Sequence, residues 1–191
     1  MRMILATSNA HKIKEIKEIL GDTLSDLELV PRSFDVVEDG KTYEENALKK
    51  AKFAFEMTKE PSVADDSGLV IYSLPTILGV KSARFMESKS YTEKNRAILE
   101  MMRNVPFEKR GARFSCVVVY YDGTPHIFEG VIEGRISYEA RGNGGFGYDP
   151  IFMPSGYDKT MAELGQWEKN RISHRAQAFK KLADFLRKSG Q

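Results

Sequence analysis

The sequence predicts an α/β fold in which a mixed, twisted sheet is flanked by helices. Three observations carry this prediction. The chain opens on a short apolar strand followed by an amphipathic helix. Its middle contains one strong hairpin signal. Its predicted strands and helices are interspersed without the strict alternation that would call for an all-parallel sheet.

Taken in order, Met3 to Ala6 is the opening strand, and Lys12 to Leu20 carries Ile13, Ile16, Ile19 and Leu20 at helical spacing. Between them lies the polar loop Thr7-Ser8-Asn9-Ala10-His11-Lys12. Leu27 to Val30 reads as a second strand. Thr42 followed by Glu45 is a capping-box pattern that opens a helix through about Met57, with Ala47, Ala51 and Phe55 on its inward stripe. Ser62 to Ala64 rises to Asp65-Asp66-Ser67-Gly68 at a strand end, and Leu69 to Tyr72 continues as strand. Thr92 to Met102 is helical, with Ile98, Leu99 and Met102 facing inward. Ala112 to Tyr121 and His126 to Ile136 are strands joined by the turn signal Asp122-Gly123. Residues 141–150 form a glycine-rich loop. A last helix starts near Ser173, buries Phe179, Leu182, Ala183 and Leu186, and is followed by Gly190.

The 191 residues suit one domain, or two small lobes sharing a core, and 41% hydrophobic residues suffice to build that core without disulfides. A net charge of +2 argues against a protein that coats nucleic acid or lies on a membrane. The single cysteine, Cys116, excludes an intrachain disulfide and sits in an apolar run, as a buried thiol does. His11, His126 and His174 are too scattered for a zinc pattern. With no signal-like leader and no run of about 20 apolar residues, the expected location is the cytoplasm.

Several polar clusters point to chemistry. In Ser8-Asn9-x-x-Lys12 a strand-to-helix turn presents backbone N–H groups and the positive end of the helix dipole, which suits an anion. Lys12 opposes that dipole unless an anion lies near it. The alternative is an ordinary cap beside a solvated lysine. Asp65 and Asp66 place two carboxylates side by side, a mutual repulsion that a hard cation such as Mg2+ relieves; a plain turn is the alternative. Glu38-Asp39-Gly40 is a further acidic loop. Of Lys49 and Lys50, at most one points into any given site, because neighbours lie about 100° apart around a helix.

Gly142 to Gly147 satisfies G-x-G-x-x-G literally, but Tyr148-Asp149-Pro150 follows it where a dinucleotide motif needs a helix. What remains is a loop with a stacking ring, Phe146, and an acceptor, Asp149; a core role for Phe146 is the alternative. Lys169 and Ser173-His174-Arg175 close the set. Arg175 can donate to the O6 and N7 edge of a 6-oxo purine, whereas adenine presents an amine there. Exposed basic side chains on a capped helix are the plainer reading.

In this order the segments resemble the inosine triphosphate pyrophosphatase family, also called Ham1-like dITP/XTP pyrophosphatases. The matching blocks are Thr7-Ser8-Asn9-x-x-Lys12, Glu45-Asn46-Ala47-x-x-Lys50-Ala51, Ala64 to Leu69, Ser82-Ala83-Arg84, Arg141 to Pro150, and Lys169-x-x-x-Ser173-His174-Arg175. The resemblance implies a single domain over residues 1–191 with two lobes around a central cleft, and a homodimer. It implies hydrolysis of ITP, dITP and XTP at the α–β phosphate bond to the monophosphate and pyrophosphate, cleansing the nucleotide pool. By matching position, Thr7, Ser8, Asn9, Ala10, His11 and Lys12 hold the phosphates with Lys50. Glu38 and Asp66 bind Mg2+, and Asp66 is the catalytic residue. Ser67 contacts substrate, and Phe146, Gly147, Tyr148, Asp149, Lys169, His174 and Arg175 hold the base. One block departs: where the family carries Gly-Gly-x-Pro-Gly, this chain has Leu74-Pro75-Thr76-Ile77-Leu78-Gly79 and keeps only Gly79.

Overall fold

The structure is a computed structural model that describes residues 2–21, 27–30 and 34–189. A mixed six-stranded sheet with flanking helices forms its frame. The strands are β1 (Met3–Leu5), β2 (Leu27–Leu29), β3 (Ser62–Ile71), β4 (Gly111–Tyr121), β5 (Pro125–Ile136) and β6 (Phe152–Pro154), in the order β2-β1-β3-β4-β5-β6. β1 runs parallel to β2 and β3, with Met3 opposite Leu27 and Ile4 opposite Ser62, and β6 runs antiparallel to β5. The helices are α1 (Ala10–Leu20), α2 (Tyr43–Thr58), α3 (Tyr91–Met101), α4 (Gly165–Ile172) and α5 (His174–Lys188).

The chain divides into two compact units. The first comprises Met1–Ser67, Cys116–Gly130 and His174–Gln191; the second comprises Gly68–Ser115 and Val131–Ser173. In the first, the sheet is buried on both faces. On one, Met3, Leu5, Val63, Val118 and Tyr120 meet Ile16 and Leu20 of α1 and Phe179, Leu182 and Leu186 of α5. On the other, Ile4, Ala6, Ala64, Val117 and Val119 meet Ala47, Ala51 and Ala54, whose small side chains let α2 approach closely. In the second unit, Leu69, Ile71, Ile98, Met102, Ile136 and Met161 pack around Phe114 and Phe152, whose rings meet edge to face at 4.6 Å. Each fully buried side chain of this size contributes about 1.5–3 kcal/mol.

The helix starts follow local chemistry. Thr42 Oγ1 accepts from the Glu45 N–H, as the capping pattern predicts, but the Glu45 carboxylate reaches the Lys41 N–H instead of closing the reciprocal bond on Thr42. The complete capping box is Ser90 with Glu93, at the start of α3.

Three differences from the sequence expectations have physical causes. Asp65 to Gly68 lie inside β3, not at a strand end, because charged and polar partners let Asp65 and Asp66 stay buried, and Ser67 half-buried, within it. α4 and β6 were not expected: α4 has eight residues with Trp167 exposed, and β6 has three, so neither shows a readable period. In the divergent 74–79 segment, Leu78 is buried, and Leu74 and Ile77 pack on the second core while Gly79 takes a positive φ of 74°. The expected stop at Gly190 lies outside the described residues.

Candidate active site

The acidic pair stands on a strand, and successive strand side chains point to opposite faces. Asp65 and Asp66 therefore have separate partners. Asp65 is fully buried, with Oδ2 2.9 Å from Lys12 Nζ, 3.5 Å from Arg175 Nε and 3.8 Å from Cys116 Sγ. Lys12 is set by the first turn of α1, where the Asn9 side chain caps the helix by accepting from the N–H groups of His11 (3.0 Å) and Lys12 (3.3 Å). The Asn9 N–H in turn bonds Thr7 Oγ1. The anion that Lys12 needs beside the helix dipole is thus supplied by the chain's own Asp65.

Arg175, in the first turn of α5, is almost wholly buried. Its Nη1 donates to Glu15 Oε2 at 2.6 Å and its Nη2 to Ser67 Oγ at 3.0 Å. Burial alone would raise the Asp65 carboxyl; Lys12, Arg175 and Lys50 outweigh it and hold it well below the usual carboxylate range. Burial likewise opposes the charge on Lys12 and Arg175, but Asp65 together with Asp66 at Lys12, and Asp65 together with Glu15 at Arg175, raise each. Cys116 is pushed up by burial and then by Asp65, so its thiol stays protonated, in line with the buried, inert reading.

Asp66 faces a different set. Its Oδ1 accepts from the Ser67 N–H and its Oδ2 from Asn46 Nδ2, each at 2.9 Å. Asn46 Oδ1 accepts from the Gly40 N–H, tying the acidic loop to the strand. One turn along α2, Lys50 Nζ donates to Glu38 Oε2 (3.1 Å) and to the Asp65 carbonyl (2.7 Å). Lys50 is the inward member of the lysine pair; Lys49 lies outside with Asp39. Burial raises the Asp66 carboxyl and the Glu38 charge adds to this, against Lys50 and Asn46.

A metal has a defined place to be tested here. Among the described residues no group of three or more His, Cys, Asp or Glu side chains gathers as a metal cluster. That excludes a self-sufficient zinc-type site among them. Mg2+ is commonly held by one or two carboxylates with phosphates and water completing its shell. Asp66, raised by burial and by its neighbour Glu38, is a carboxylate that a cation would relieve, so the donor set fits that pattern.

The second unit holds the glycine loop. Asp149 is buried, and its Oδ2 accepts from the Phe146 N–H (2.8 Å) and from Lys169 Nζ of α4 (2.5 Å). The Lys169 ammonium also sits 4.7 Å from the centre of the Phe146 ring. Gly145 is required: its φ is +68°, and a Cβ there would lie 2.0 Å from Asp149 Oδ2. The Phe146 ring is only partly buried and joins no core cluster, so the core alternative falls. Tyr148 is the core residue of the loop, with its hydroxyl donating to the Ser82 carbonyl at 2.6 Å.

Of the expected residues, Lys12, Lys50, Ser67, Asp66, Glu38 and Arg175 share a polar network in the first unit, and Phe146, Asp149 and Lys169 share one in the second. Ser8, Asn9, Ala10 and His11 lie exposed in the α1 turn, Thr7 is buried beside them, and His174 is buried at the start of α5. The plainer reading of exposed basic side chains fails for Lys169 and Arg175 alike. Sequence reasoning missed Glu15, Asn46 and the pairing role of Asp65. Helical spacing held a signal for two of them: Glu15 lies three residues after Lys12, and Asn46 four before Lys50.

A sequence model of the Ham1 family matches residues 3–185. A protein from Dictyoglomus thermophilum named dITP/XTP pyrophosphatase is 46% identical, over 96% of this chain and 93% of its own. One of the same name from Aquifex aeolicus is 41% identical over 98% and 97%. Among solved structures, a HAM1 protein from Coxiella burnetii superposes with a TM-score of 0.87 at 38% identity, covering 98% of this chain and 99% of that one. The Ham1 protein of Staphylococcus aureus gives 0.87 at 35%, covering 99% and 100%.

Proposed function

This chain belongs to the Ham1 family, and we infer that it is a nucleoside-triphosphate pyrophosphatase that hydrolyses dITP, XTP and ITP. The products are the nucleoside monophosphate and pyrophosphate. The observation that carries the reading at the site is the gathering of Lys12, Lys50 and Arg175 around the Asp65-Asp66 strand.

A triphosphate carries up to about four negative charges, and Lys12 and Lys50 are the cations proposed to hold and orient it. Glu38 and Asp66 would hold Mg2+, which when bound polarises phosphoryl oxygens and lowers the pKa of its water. Water adds to the α-phosphorus, and the bond to the bridging oxygen breaks, releasing pyrophosphate. Asp66 is proposed to act mainly as the ligand through which the metal activates its water, with direct proton acceptance by its carboxylate as the secondary reading. Asn46 and the Ser67 N–H fix the orientation of that carboxylate.

For the base, Phe146 is the proposed stacking surface, with Gly147, Tyr148, Asp149 and Lys169 of the same unit, and His174 is a further proposed base-binding residue. Arg175 is the proposed reader of the 6-oxo edge, its guanidinium oriented by Glu15 and Ser67. A good bidentate contact of this kind discriminates by about 1–3 kcal/mol. The reading also carries a homodimer working in the cytoplasm on pool nucleotides. Among the described residues no helix is long and apolar enough to cross a membrane.

The test is pyrophosphate release from dITP, XTP and ITP against GTP and ATP, with Mg2+ and with chelator. Release from dITP, XTP and ITP well above release from ATP, dependent on Mg2+, is the expected result, and GTP, which shares the O6 and N7 edge, tests whether the site also reads position 2 of the ring. Equal turnover of ATP, or full activity in chelator, would overturn the specificity or the metal reading respectively. Sedimentation of the purified chain tests the dimer.

A further inference from the structure

One buried amide in the second unit has a role in neither core nor chemistry. Asn95 lies on α3, is 4% exposed, and donates from Nδ2 to the Gly147 carbonyl at 3.1 Å. Its Oδ1 is buried with no hydrogen-bond partner among the described residues. The assignment of nitrogen and oxygen is fixed by chemistry, since only the NH2 group can face a carbonyl.

The bond falls on the glycine that joins the two aromatic residues of the base loop. Gly147 has a φ of +70°, a conformation reached at low cost only by glycine, and it separates Phe146 from Tyr148. Tyr91, one helical turn before Asn95, meets the Tyr148 ring edge-on at 5.2 Å, and a Cβ on Gly147 would lie 3.6 Å from the Tyr91 ring. Tyr91 and Asn95 thus present one face of α3 to the loop. Tyr148 is held independently through Ser82, and Asp149 through Lys169, whereas the Gly147 peptide has Asn95.

Leucine here has nearly the same shape and would remove a buried acceptor that has no partner, but it would also take the donor from the Gly147 carbonyl. The two effects on overall stability oppose each other, whereas the hold on the Gly147 peptide is lost outright.

We propose that Asn95 is a positioning residue for substrate recognition: it fixes the Gly147 peptide and so sets the Phe146 ring against the purine base. The proposal rests on the assignment of the Phe146–Asp149 loop to the base.

The test is steady-state kinetics with dITP and Mg2+ on the wild type, Asn95→Leu and Asn95→Asp, together with thermal unfolding and hydrogen exchange of peptides spanning 144–152. Loss of one hydrogen bond, worth up to a factor of about ten, predicts a KM raised about three- to tenfold in Asn95→Leu with kcat little changed. Its melting temperature should change little, because the lost donor and the removed unpartnered acceptor offset each other, and exchange across 144–152 should quicken.

Asn95→Asp sets a carboxylate against a carbonyl oxygen. Its KM relative to wild type should be high at pH 8 and fall as pH drops, because the protonated acid can donate to Gly147. A wild-type KM in Asn95→Leu, or a lowered melting temperature with exchange across 144–152 unchanged, overturns the proposal. So does an Asn95→Asp KM ratio that does not vary with pH. If the wild type releases no pyrophosphate from dITP, the functional reading fails, while the exchange result still decides whether Asn95 holds the loop.

Discussion

In the first unit the buried charges and the half-buried Lys12 stand on regular elements: Lys12 and Glu15 on α1, Lys50 on α2, Asp65 and Asp66 on β3, Arg175 on α5. In the second, the Asp149–Lys169 pair joins a helix to a glycine loop that also carries a partly exposed ring. In the first arrangement Asp65, Lys12, Arg175 and Glu15 compensate one another, so removing one leaves its partners uncompensated. The second is one buried ion pair with further tethers on a loop, where a lost tether outside the pair moves the ring without leaving a charge uncompensated. Damage to the first should therefore appear in stability as well as activity. Damage to the second should appear mainly in substrate affinity and selectivity.

The sharpest way to break this comparison is within the first unit, between two adjacent residues. Asp66→Asn should lower pyrophosphate release about a thousandfold or more while nucleotide binding persists. An active Asn variant removes Asp66 from the chemistry. Because Asp66 is bonded to Asn46 and the Ser67 N–H and pairs with no buried arginine, its loss should disturb folding less than the loss of Asp65.

Asp65→Asn comes next. It leaves Lys12 and Arg175 beside a neutral group and should destabilise the fold by about 3–5 kcal/mol, read from urea unfolding at pH 7. The pH sign follows from the depressed Asp65 carboxyl. At pH 7 both folded and unfolded states are ionised and the full stabilisation is present. Below the unfolded value of about 3.9 the unfolded state takes up the proton first, so the advantage of wild type over Asp65→Asn should shrink as pH falls further. A constant difference down to pH 3 would mean that the Asp65 carboxyl is not depressed in the folded state.

Arg175→Ala sits across the comparison. A role in reading the base predicts a narrower ITP:ATP ratio in kcat/KM by about 1–3 kcal/mol. Its bonds to Glu15 and Ser67 predict lost stability in addition. Lost stability with an unchanged ratio would assign Arg175 wholly to the first unit's network.

In the second unit, Gly145→Ala should raise the KM for dITP several-fold through displacement of the Asp149 carboxylate, at about 1–2 kcal/mol of backbone strain. A KM equal to wild type would show that the loop tolerates a moved carboxylate. The smallest effect is expected at Lys59, which caps α2 at a φ of 61°: Lys59→Gly should stabilise by about 1 kcal/mol or less in thermal unfolding, with kinetics unchanged.

Much of this was readable in the chain itself. The helical spacing of Ile13 to Leu20, the Thr42 cap, the Asp122-Gly123 hairpin and the apolar run through Cys116 each express a local rule, and each element formed where that rule applies. The blocks at Asp65, Phe146 and Ser173 identified the family, because their types and order are a property of sequence alone. Local rules failed for α4 and β6, which are too short to show a period, and for Asp65 to Gly68, which composition alone reads as a turn.

Only the tertiary structure decided which charge answers which. Local spacing holds Lys49 and Lys50, Glu38 and Asp39, and Asp65 and Asp66 as adjacent pairs with no physical means of ranking their members, and only the family resemblance singled out Lys50, Glu38 and Asp66. Strand alternation and helical rotation then send one member of each pair to a different environment: Lys50 to Glu38, Lys49 to Asp39, Asp65 to Lys12 and Arg175, Asp66 to Asn46. The physical reason is desolvation. A buried charge must find its counter-charge among residues far away in the chain, and that match exists only once α1, β3 and α5 have packed together.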